Sequence, residues 1–350
     1  MRVAFVGNYT NQQLRDLMQY LPLRENRDFR YANISYDLTG LLLSPEETFG
    51  WKRVVEREVL TPLRMTHTTA YRSTVEEDQV AMPHDIGANG QARIKLAKSD
   101  ENMGPAGGHL STASDLIRLA AAAMNAGKLD GEQVIEADVI EFVTSEVVPQ
   151  NREFINYRRH AWGIGWDIGK YGDATVIHRP GGFAGYYSNV AFLPEYGLGV
   201  AVLGNGGAMS ASVLEALNAA VYDEFLGKPD AATRLADELT ALQTTLARVQ
   251  QQAADSAVTY AATPSRDLSA YVGSYTHPLF GTVAIRANNG TLELEWGVIR
   301  EELRPLQDSP RFHAHVVRPT DEVFFEFLGN QQAQQVGFSS MVETFRRDDD

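Results

Sequence analysis

Residues 174–193 read ATVIHRPGGFAGYYSNVAFL, with an apolar run at each end and a glycine-rich segment between them. Both runs have the β-branched and aromatic content of a strand, and glycine with proline is typical of the turn between two strands. Similar runs lie on either side, at 162–168 and 198–203. The pattern therefore predicts that residues 161–205 form a series of strands.

Helices are predicted on both sides of this region. The clearest one covers 116–125, which is rich in Ala and Leu. Thr112 and Asp115 form a capping pattern before it, and Gly127 can end it. The first two thirds of the chain thus combine helices with strands, which indicates an α+β fold. Other apolar stripes at helical spacing cover 11–21, 33–43, about 46–60 and about 208–226.

The last third of the chain has a different pattern of polar and apolar residues. A polar helix with an apolar stripe is predicted over 231–255, either as a coiled-coil seam or, preferably, as a single linker helix that packs on a domain. From Asp267 onward short strands recur between turns such as NNG at 288–290, which predicts a small all-β barrel. The predicted domains are therefore 1–228, a helical linker at 229–264 and a barrel at 265–350.

Composition narrows the classes of partner. The formal net charge of −14 repels nucleic acid and anionic membranes, so neither is expected as a partner. The chain has no cysteine, which excludes disulfides and thiolate metal sites. The glycine-rich segments 104–108 and 204–207 lack the residues of nucleotide-binding loops, and His313 with His315 lacks a third metal ligand. No cofactor and no metal is therefore expected.

The sequence also bears on the compartment. Residues 1–9 contain an apolar run that is too short for the core of a signal peptide. No apolar run approaches the roughly 20 residues needed to span a bilayer. As written, the chain is expected to be soluble and cytoplasmic.

Three groups of residues occur in series along the first domain. They are FRYAN at 29–33 with LTPLRMTHT at 60–68, GPAGG at 104–108 with STASDL at 111–116, and HRPGGFAGY at 178–186. In this order and spacing they resemble the penicillin-binding-protein-like serine hydrolases, the CubicO group of class C β-lactamases, D-stereospecific peptidases and esterases. The resemblance covers about residues 7–228. YVGSY at 271–275 and FGTV at 280–283 resemble the C-terminal barrel of many members.

The resemblance implies a β-lactamase/transpeptidase-like domain, an antiparallel sheet with a helical region that is incomplete here. It also implies hydrolysis of amide or ester acyl bonds. In the family a serine attacks the acyl carbonyl, and a lysine one helical turn later helps to remove its proton. Tyr31 matches the tyrosine that shares this proton transfer as a general base. Asn33 matches the asparagine that orients the substrate and the lysine.

The segment HRPG at 178–181 stands where the family has a Lys-Thr-Gly or His-x-Gly strand. That strand places a cation beside the substrate carboxylate or leaving group. Either His178 or Arg179 could supply the cation, because one residue of register stays open. Gly181 and Gly182 are expected to let the substrate backbone lie against the strand edge. A plain glycine-rich hairpin turn is the alternative interpretation.

The nucleophile of the family has no counterpart in this sequence. None of the residues three positions before a lysine is a serine, and they are Phe49, Ala92, Lys95, Asn125, Asp167 and Phe225. In the family the Ser-x-x-Lys helix precedes the point matched by Gly7, so the chain is interpreted as a fragment that is inactive as written. Without that helix, apolar surface is expected to be uncovered and to favour self-association. Full-length relatives act on small-molecule or peptide acyl substrates and are commonly exported. The alternative is a non-catalytic, ligand-binding pseudoenzyme.

Overall fold

The computed structural model describes residues 6–7, 9–19, 29, 31–47, 49–87, 90–93, 96–255, 258–316, 321–329 and 331–348. The chain divides into two compact units. The first contains Met1–Trp51, Ile94–Gly108 and Ser256–Asp350, and the second contains Lys52–Arg93 and His109–Asp255. These units cut across the predicted domain boundaries, because the beginning of the chain groups with its end. Among the described residues, every helix is too short or too polar to span a lipid bilayer.

Two helices lie in the first unit. α1 (Asn11–Met18) starts with a capping box, in which Thr10 Oγ1 accepts a hydrogen bond from Gln13 N and Gln13 Oε1 accepts one from Thr10 N. The predicted end of this helix, at residues 20 and 21, lies outside the described residues. α2 (Asn33–Leu43) matches the predicted apolar stripe.

Helix α2 packs closely against the 104–106 loop. A Cβ atom on Gly40 would lie 2.2 Å from Pro105 Cγ, so this approach requires glycine. Asp37, one turn earlier, is 5% exposed and accepts a hydrogen bond from the backbone N–H of Ala106. Burial raises the pKa of Asp37 to about 6, because desolvation disfavours the ionised carboxylate. The first unit therefore has an ionisable group in its core.

The segment that leads to the main sheet contains short elements. They are α3 (Trp51–Val55) with a π-helical turn at Glu56–Leu60, β1 (His84–Gly87), β2 (Gly90–Arg93), α4 (Ala113–Met124), β3 (Lys128–Leu129), β4 (Glu132–Gln133) and α5 (Ala137–Thr144). The helix predicted for 46–60 begins later than expected, and its second half is π-helical. The predicted cap of α4 is confirmed, since Thr112 Oγ1 accepts a hydrogen bond from Asp115 N at 3.2 Å.

A six-stranded antiparallel sheet, in the order β10-β9-β8-β7-β6-β5, forms the centre of the second unit. Its strands are β5 (Val148–Phe154), β6 (Tyr157–Trp162), β7 (Asp167–Tyr171), β8 (Ala174–Phe183), β9 (Tyr186–Leu193) and β10 (Leu198–Gly204). Each strand pairs with the next along the chain, so the sheet is a simple meander. The α+β class and the antiparallel sheet are confirmed.

The two faces of this sheet bury different side chains. Val176 and Ala191 pack with Tyr222 of α6 (Gly207–Phe225). Their neighbours Ile177 and Val190 pack on the opposite face with Ala120 of α4. Successive residues of a strand point to opposite faces, so the first half of β8 and the second half of β9 are buried on both sides.

Helix α7 (Ala231–Asp255) follows as one continuous helix, as predicted for the linker. Its N-terminal turn is tied to α6 through Asp223, whose Oδ2 accepts hydrogen bonds from Arg234 Nη2 at 3.0 Å and Nε at 3.2 Å. Tyr171 Oη donates a hydrogen bond to Asp223 Oδ1 at 2.8 Å, and Lys228 Nζ lies 3.2 Å from the same oxygen. These contacts hold the pKa of Asp223 below its usual value although burial opposes them.

The eight strands after the linker close into a barrel that belongs to the first unit. They are β11 (Gly273–His277), β12 (Gly281–Asn288), β13 (Thr291–Trp296), β14 (Ile299–Pro305), β15 (Phe312–Ala314), β16 (Asp321–Phe327), β17 (Ala333–Phe338) and β18 (Thr344–Arg347). The barrel is confirmed, although the single strand predicted for 334–346 is two strands. The interior is filled by aromatic packing, with the rings of Trp296 and Phe338 stacked at 5.3 Å.

Asp37→Asn should stabilise the protein at neutral pH. The folded-state pKa of Asp37 lies above its unfolded value, so the stability linked to its proton is present at low pH and is lost as the pH rises through about 6. A rise from 3.8 to about 6 corresponds to at most about 3 kcal/mol of unfolding free energy at pH 7. Urea unfolding from pH 4 to 7 should show the variant gaining stability over the wild type as pH rises. Asp16→Asn, on the exposed surface of α1, is the control, and a variant less stable at pH 7 would contradict this account.

Candidate functional site

Strand β8 is longer than its neighbour β7, and this difference shapes the candidate site. β8 pairs with β7 only as far as His178, which lies opposite Asp167 at the start of β7. On its other side β8 stays paired with β9 as far as Phe183. In the described part of the chain, no strand lies along the β7-facing edge of residues 180–182. The backbone of this segment therefore has one edge on which an extended ligand can pair.

Arg179 is the first residue of β8 beyond β7. Its side chain is 30% exposed, and its Nη1 lies 3.4 Å from Asp167 Oδ2. The guanidinium carbon lies 4.9 Å from the centre of the Trp162 ring, a distance at which a cation is attracted to the ring face. Arg179 thus places a positive charge, held from two sides, next to the open edge.

Gly181 and Gly182 form the exposed part of this edge. A Cβ atom on Gly181 would lie 2.6 Å from Ser188 Oγ of β9, so a side chain there would displace that hydroxyl. A Cβ atom on Gly182 would meet nothing closer than 3.9 Å. The absence of both side chains leaves the backbone accessible, as expected for a strand that a ligand approaches closely.

His178 lies on the other face of the sheet, with no exposed surface. Its Nε2 accepts a hydrogen bond from Arg159 Nε at 3.0 Å, which leaves the proton on Nδ1, 3.3 Å from Asn189 Oδ1. Burial and the Arg159 charge lower the pKa of His178 well below its usual value. His178 is therefore a neutral core residue, and its predicted role as a substrate-binding cation is not supported.

The hydrogen bonds continue from His178 to α6. Asn189 Nδ2 donates to Glu215 Oε1 at 2.8 Å, and Tyr187 Oη donates to the same oxygen at 2.7 Å. Burial, followed by the hydrogen bond to Glu215, raises the pKa of Tyr187. A buried chain of hydrogen bonds therefore runs from Arg159, through the histidine, to Glu215.

Tyr31 and Asn33 lie in the first unit. Tyr31 is half-buried just before α2, with its ring centre 5.8 Å from that of Tyr36, and Asn33 is the first residue of α2. The glycine-rich strand lies in the second unit. The roles assigned to Tyr31 and Asn33 stay predictions.

Ser111 lies at the start of α4 in a network that supports the helix. Its Oγ is 2.8 Å from Thr68 Oγ1, which donates to Asp115 Oδ2 at 2.8 Å. The backbone N–H of His67 donates to the same carboxylate oxygen, at 2.8 Å. The neighbours of this hydroxyl are thus capping groups, and the geometry is not that of a nucleophile beside its base.

The sequence reading missed Asp167, Arg159 and Trp162. A weak signal for Asp167 is present, since it is a charged residue at the start of the apolar strand DIG and such a charge requires a partner. Arg159 gives no comparable signal, because RR at 158–159 also fits an exposed strand. Only the pairing of β6, β7 and β8 brings Asp167 and Trp162 next to Arg179, and Arg159 next to Asp167.

Residues 3–223 match the family model described as Beta-lactamase. The chain is 22% identical over 201 residues to penicillin-binding protein 4 of Amycolatopsis lactamdurans, an alignment that includes 57% of this chain. It spans about half, 51%, of the length of that curated relative.

Two solved structures show the same fold. The octameric penicillin-binding protein homologue from Pyrococcus abyssi has a TM-score of 0.52 and 17% identity, over 95% of this chain and 68% of that one. The D-amino acid amidase from Ochrobactrum anthropi SV3, complexed with L-phenylalanine amide, has a TM-score of 0.50 and 16% identity, over 67% of this chain and 66% of that one. At these identities the similarity concerns the fold alone.

His178→Gln should reduce the acid sensitivity of the fold. The folded-state pKa of His178 lies below its unfolded value, so the stability linked to it is present above pH 6.5 and is lost as the pH falls. The slope approaches about 1.4 kcal/mol per pH unit for one buried histidine. A glutamine can keep both hydrogen bonds without binding a proton. Between pH 7 and pH 5 the free energy of unfolding should fall less steeply for His178→Gln than for the control His160→Gln. The side chain of His160 is 37% exposed. Equal slopes would show that His178 is protonated in the fold.

Proposed function

Because this chain belongs to the Beta-lactamase family, we propose that it binds an acyl compound with a carboxylate group and does not itself form an acyl-enzyme. The ligand carboxylate pairs with Arg179. The amide or ester group lies along the open edge of residues 180–182. The proposed activity is thus the ligand-binding step of a serine hydrolase, an enzyme that acts on amide or ester bonds.

The observation that carries this proposal is the position of Arg179 beside an open strand edge. A guanidinium matches the geometry of a carboxylate and binds it through charge-assisted hydrogen bonds. An extended amide can then pair with the β8 backbone, as peptides do on sheet edges. The names of the relatives, a penicillin-binding protein and a D-amino acid amidase, are consistent with a ligand that contains an amide group.

Acyl transfer needs more than recognition. A serine hydroxyl becomes a nucleophile only when a neighbouring base removes its proton. No serine precedes any of the six lysines by three residues. Tyr31 could still receive a proton as the family's general base does, but this polypeptide supplies no serine for it at the family spacing. Non-covalent binding is therefore the proposed activity of this chain.

Self-association is a further part of the proposal. Leu42 and Leu43 at the end of α2 are 80% and 48% exposed. Exposed apolar side chains of this size favour association with other surfaces. Light scattering on the samples used below reports the oligomeric state, so that binding constants are compared at equal assembly.

Arg179→Gln should remove the preference for a carboxylate. We expect the wild type to bind N-acetyl-D-phenylalanine at least about tenfold more tightly than N-acetyl-D-phenylalaninamide, which differs only in lacking the charge. The variant should bind the two compounds equally, as measured by isothermal titration calorimetry. Arg158→Gln is the matched control, because Arg158 is an exposed arginine on strand β6 of the same sheet. Equal binding of both compounds by the wild type would contradict the proposal.

Benzylpenicillin should bind without reacting. After prolonged incubation, intact-protein mass spectrometry should show only the unmodified chain, because no activated serine is available to open the lactam. A fluorophosphonate probe, which reports any activated serine, should give the same result. A stoichiometric adduct on serine would show that the chain has a nucleophile and would overturn the non-covalent assignment.

A further inference from the structure

We propose that the second unit has a further ligand site, a cleft at the junction of α6 and α7 that binds a free amino acid in its zwitterionic form. The cleft has a volume of about 480 Å³. Asn156 and Gly172, in the β5–β6 and β7–β8 turns, line it together with residues of the two helices. Gly172 follows the end of β7 that is opposite to Asp167, so the cleft lies at the other end of this strand from Arg179.

Positive charge is in excess around Asp223 in this cleft. Lys228 and Arg234 both line the cleft, and both pair with the single carboxylate of Asp223, at 3.2 and 3.0 Å. Their side chains are 36% and 46% exposed, and neither has a second carboxylate partner in the described part of the chain. Ala231, the first residue of α7, also lines the cleft, so the positive end of the helix dipole adds to these charges. A ligand carboxylate here meets two cations that share one internal anion.

Glu238 supplies a separate negative charge. It is half-buried, lines the same cleft and follows Arg234 by one turn of α7. Arg234 nevertheless pairs with Asp223, and within the described ranges the Glu238 side chain makes no hydrogen bond or ion pair. Burial, then Asp223, then the charge of Glu238 raise the pKa of Tyr171, so Glu238 acts on the same wall of the cleft. A half-buried carboxylate of this kind is a suitable partner for a ligand ammonium group.

The remaining wall of the cleft is apolar. It contains Ala216, Ala219 and Ala220 of α6 and Leu235 of α7. Apolar surface in a concave site gains free energy when it covers an apolar ligand group. The cleft thus combines an excess of positive charge, an unpaired carboxylate and an apolar wall. These three features complement the carboxylate, the ammonium group and the side chain of an apolar amino acid.

Two other interpretations of the cleft make different predictions. If the ion pairs only tie α6 to α7, no amino acid binds at millimolar concentration. If Lys228 and Arg234 simply attract anions, a carboxylate without an ammonium group binds as tightly as an amino acid. A zwitterion site requires both charges of the ligand, because a ligand with one charge leaves the other group of the cleft without a partner.

The first experiment compares three compounds by isothermal titration calorimetry. Leucine carries both charges, 4-methylpentanoate lacks the ammonium group, and 3-methylbutylamine lacks the carboxylate. We expect leucine to bind at least about tenfold more tightly than either of the others, because each missing group removes a charge-assisted hydrogen bond. Leucine that binds no more tightly than one of the single-charge compounds overturns the inference. So does the lack of saturable leucine binding up to about 10 mM.

Glu238→Gln tests the position of the ligand. The variant removes the proposed partner of the ammonium group and leaves the ion pairs of Asp223 in place, so the fold is retained. The affinity for leucine should fall about tenfold, while the affinity for 4-methylpentanoate does not fall. Glu224→Gln, on the exposed surface of α6, is the matched control and should bind leucine as the wild type does.

Lys228→Gln tests the other end of the ligand. It should weaken the binding of leucine and of 4-methylpentanoate by a similar factor, while the affinity for 3-methylbutylamine does not fall. Circular dichroism shows whether this variant is folded, and Glu238→Gln decides the question if it is not. Leucine bound at the edge of β8 beside Arg179 would not respond to Glu238→Gln. An unchanged leucine affinity in that variant therefore overturns the inference, whatever the edge of β8 binds.

Discussion

The unequal lengths of β7 and β8 are the constraint on which the candidate site depends. A strand inside a sheet normally has both edges paired, and an unpaired edge exposes backbone donors and acceptors. Because β7 begins at Asp167, β8 keeps its pairing with β9 but has an open edge over residues 180–182. For the same reason Arg179 lies one residue beyond the last residue pair of β7 and β8. The open backbone and the positive charge are thus two consequences of one difference in strand length.

Behind this edge the second unit contains an unusual amount of buried polarity. An isolated charge in a protein core is costly, and the cost falls only when each charge has a partner and each polar atom has a hydrogen bond. Arg159 and Arg179 are balanced by Asp167 and, through the hydrogen bonds of neutral His178 and Asn189, by Glu215. This network joins four strands, β6 to β9, to α6, so the end of β8 is supported by rigid elements. A cation held on such a support is better oriented than one on a mobile loop.

The sequence predicted the elements well, because periodicity and caps act locally. The α4 cap at Thr112 and the series of strands around residues 174–193 follow from neighbouring residues, and so does the barrel. The two strands within 334–346 were read as one, since the turn at 339–341 contains neither glycine nor proline. The choice between His178 and Arg179 was not decidable, because Pro180 and the glycines after it interrupt the alternation that would assign the faces. Asp167 was missed because its partners come from other strands, and a single sequence does not give the pairing register.

Ligand binding and acyl transfer depend on different groups in this fold. Binding energy accelerates a reaction only when it is larger in the transition state than in the ground state, which requires reacting groups fixed beside the bound ligand. In the proposed binding mode, Arg179 and the edge of residues 180–182 contact parts of the ligand whose charge and shape change little during acyl transfer. In that mode they contribute binding and orientation, which are separate from the activation of a nucleophile.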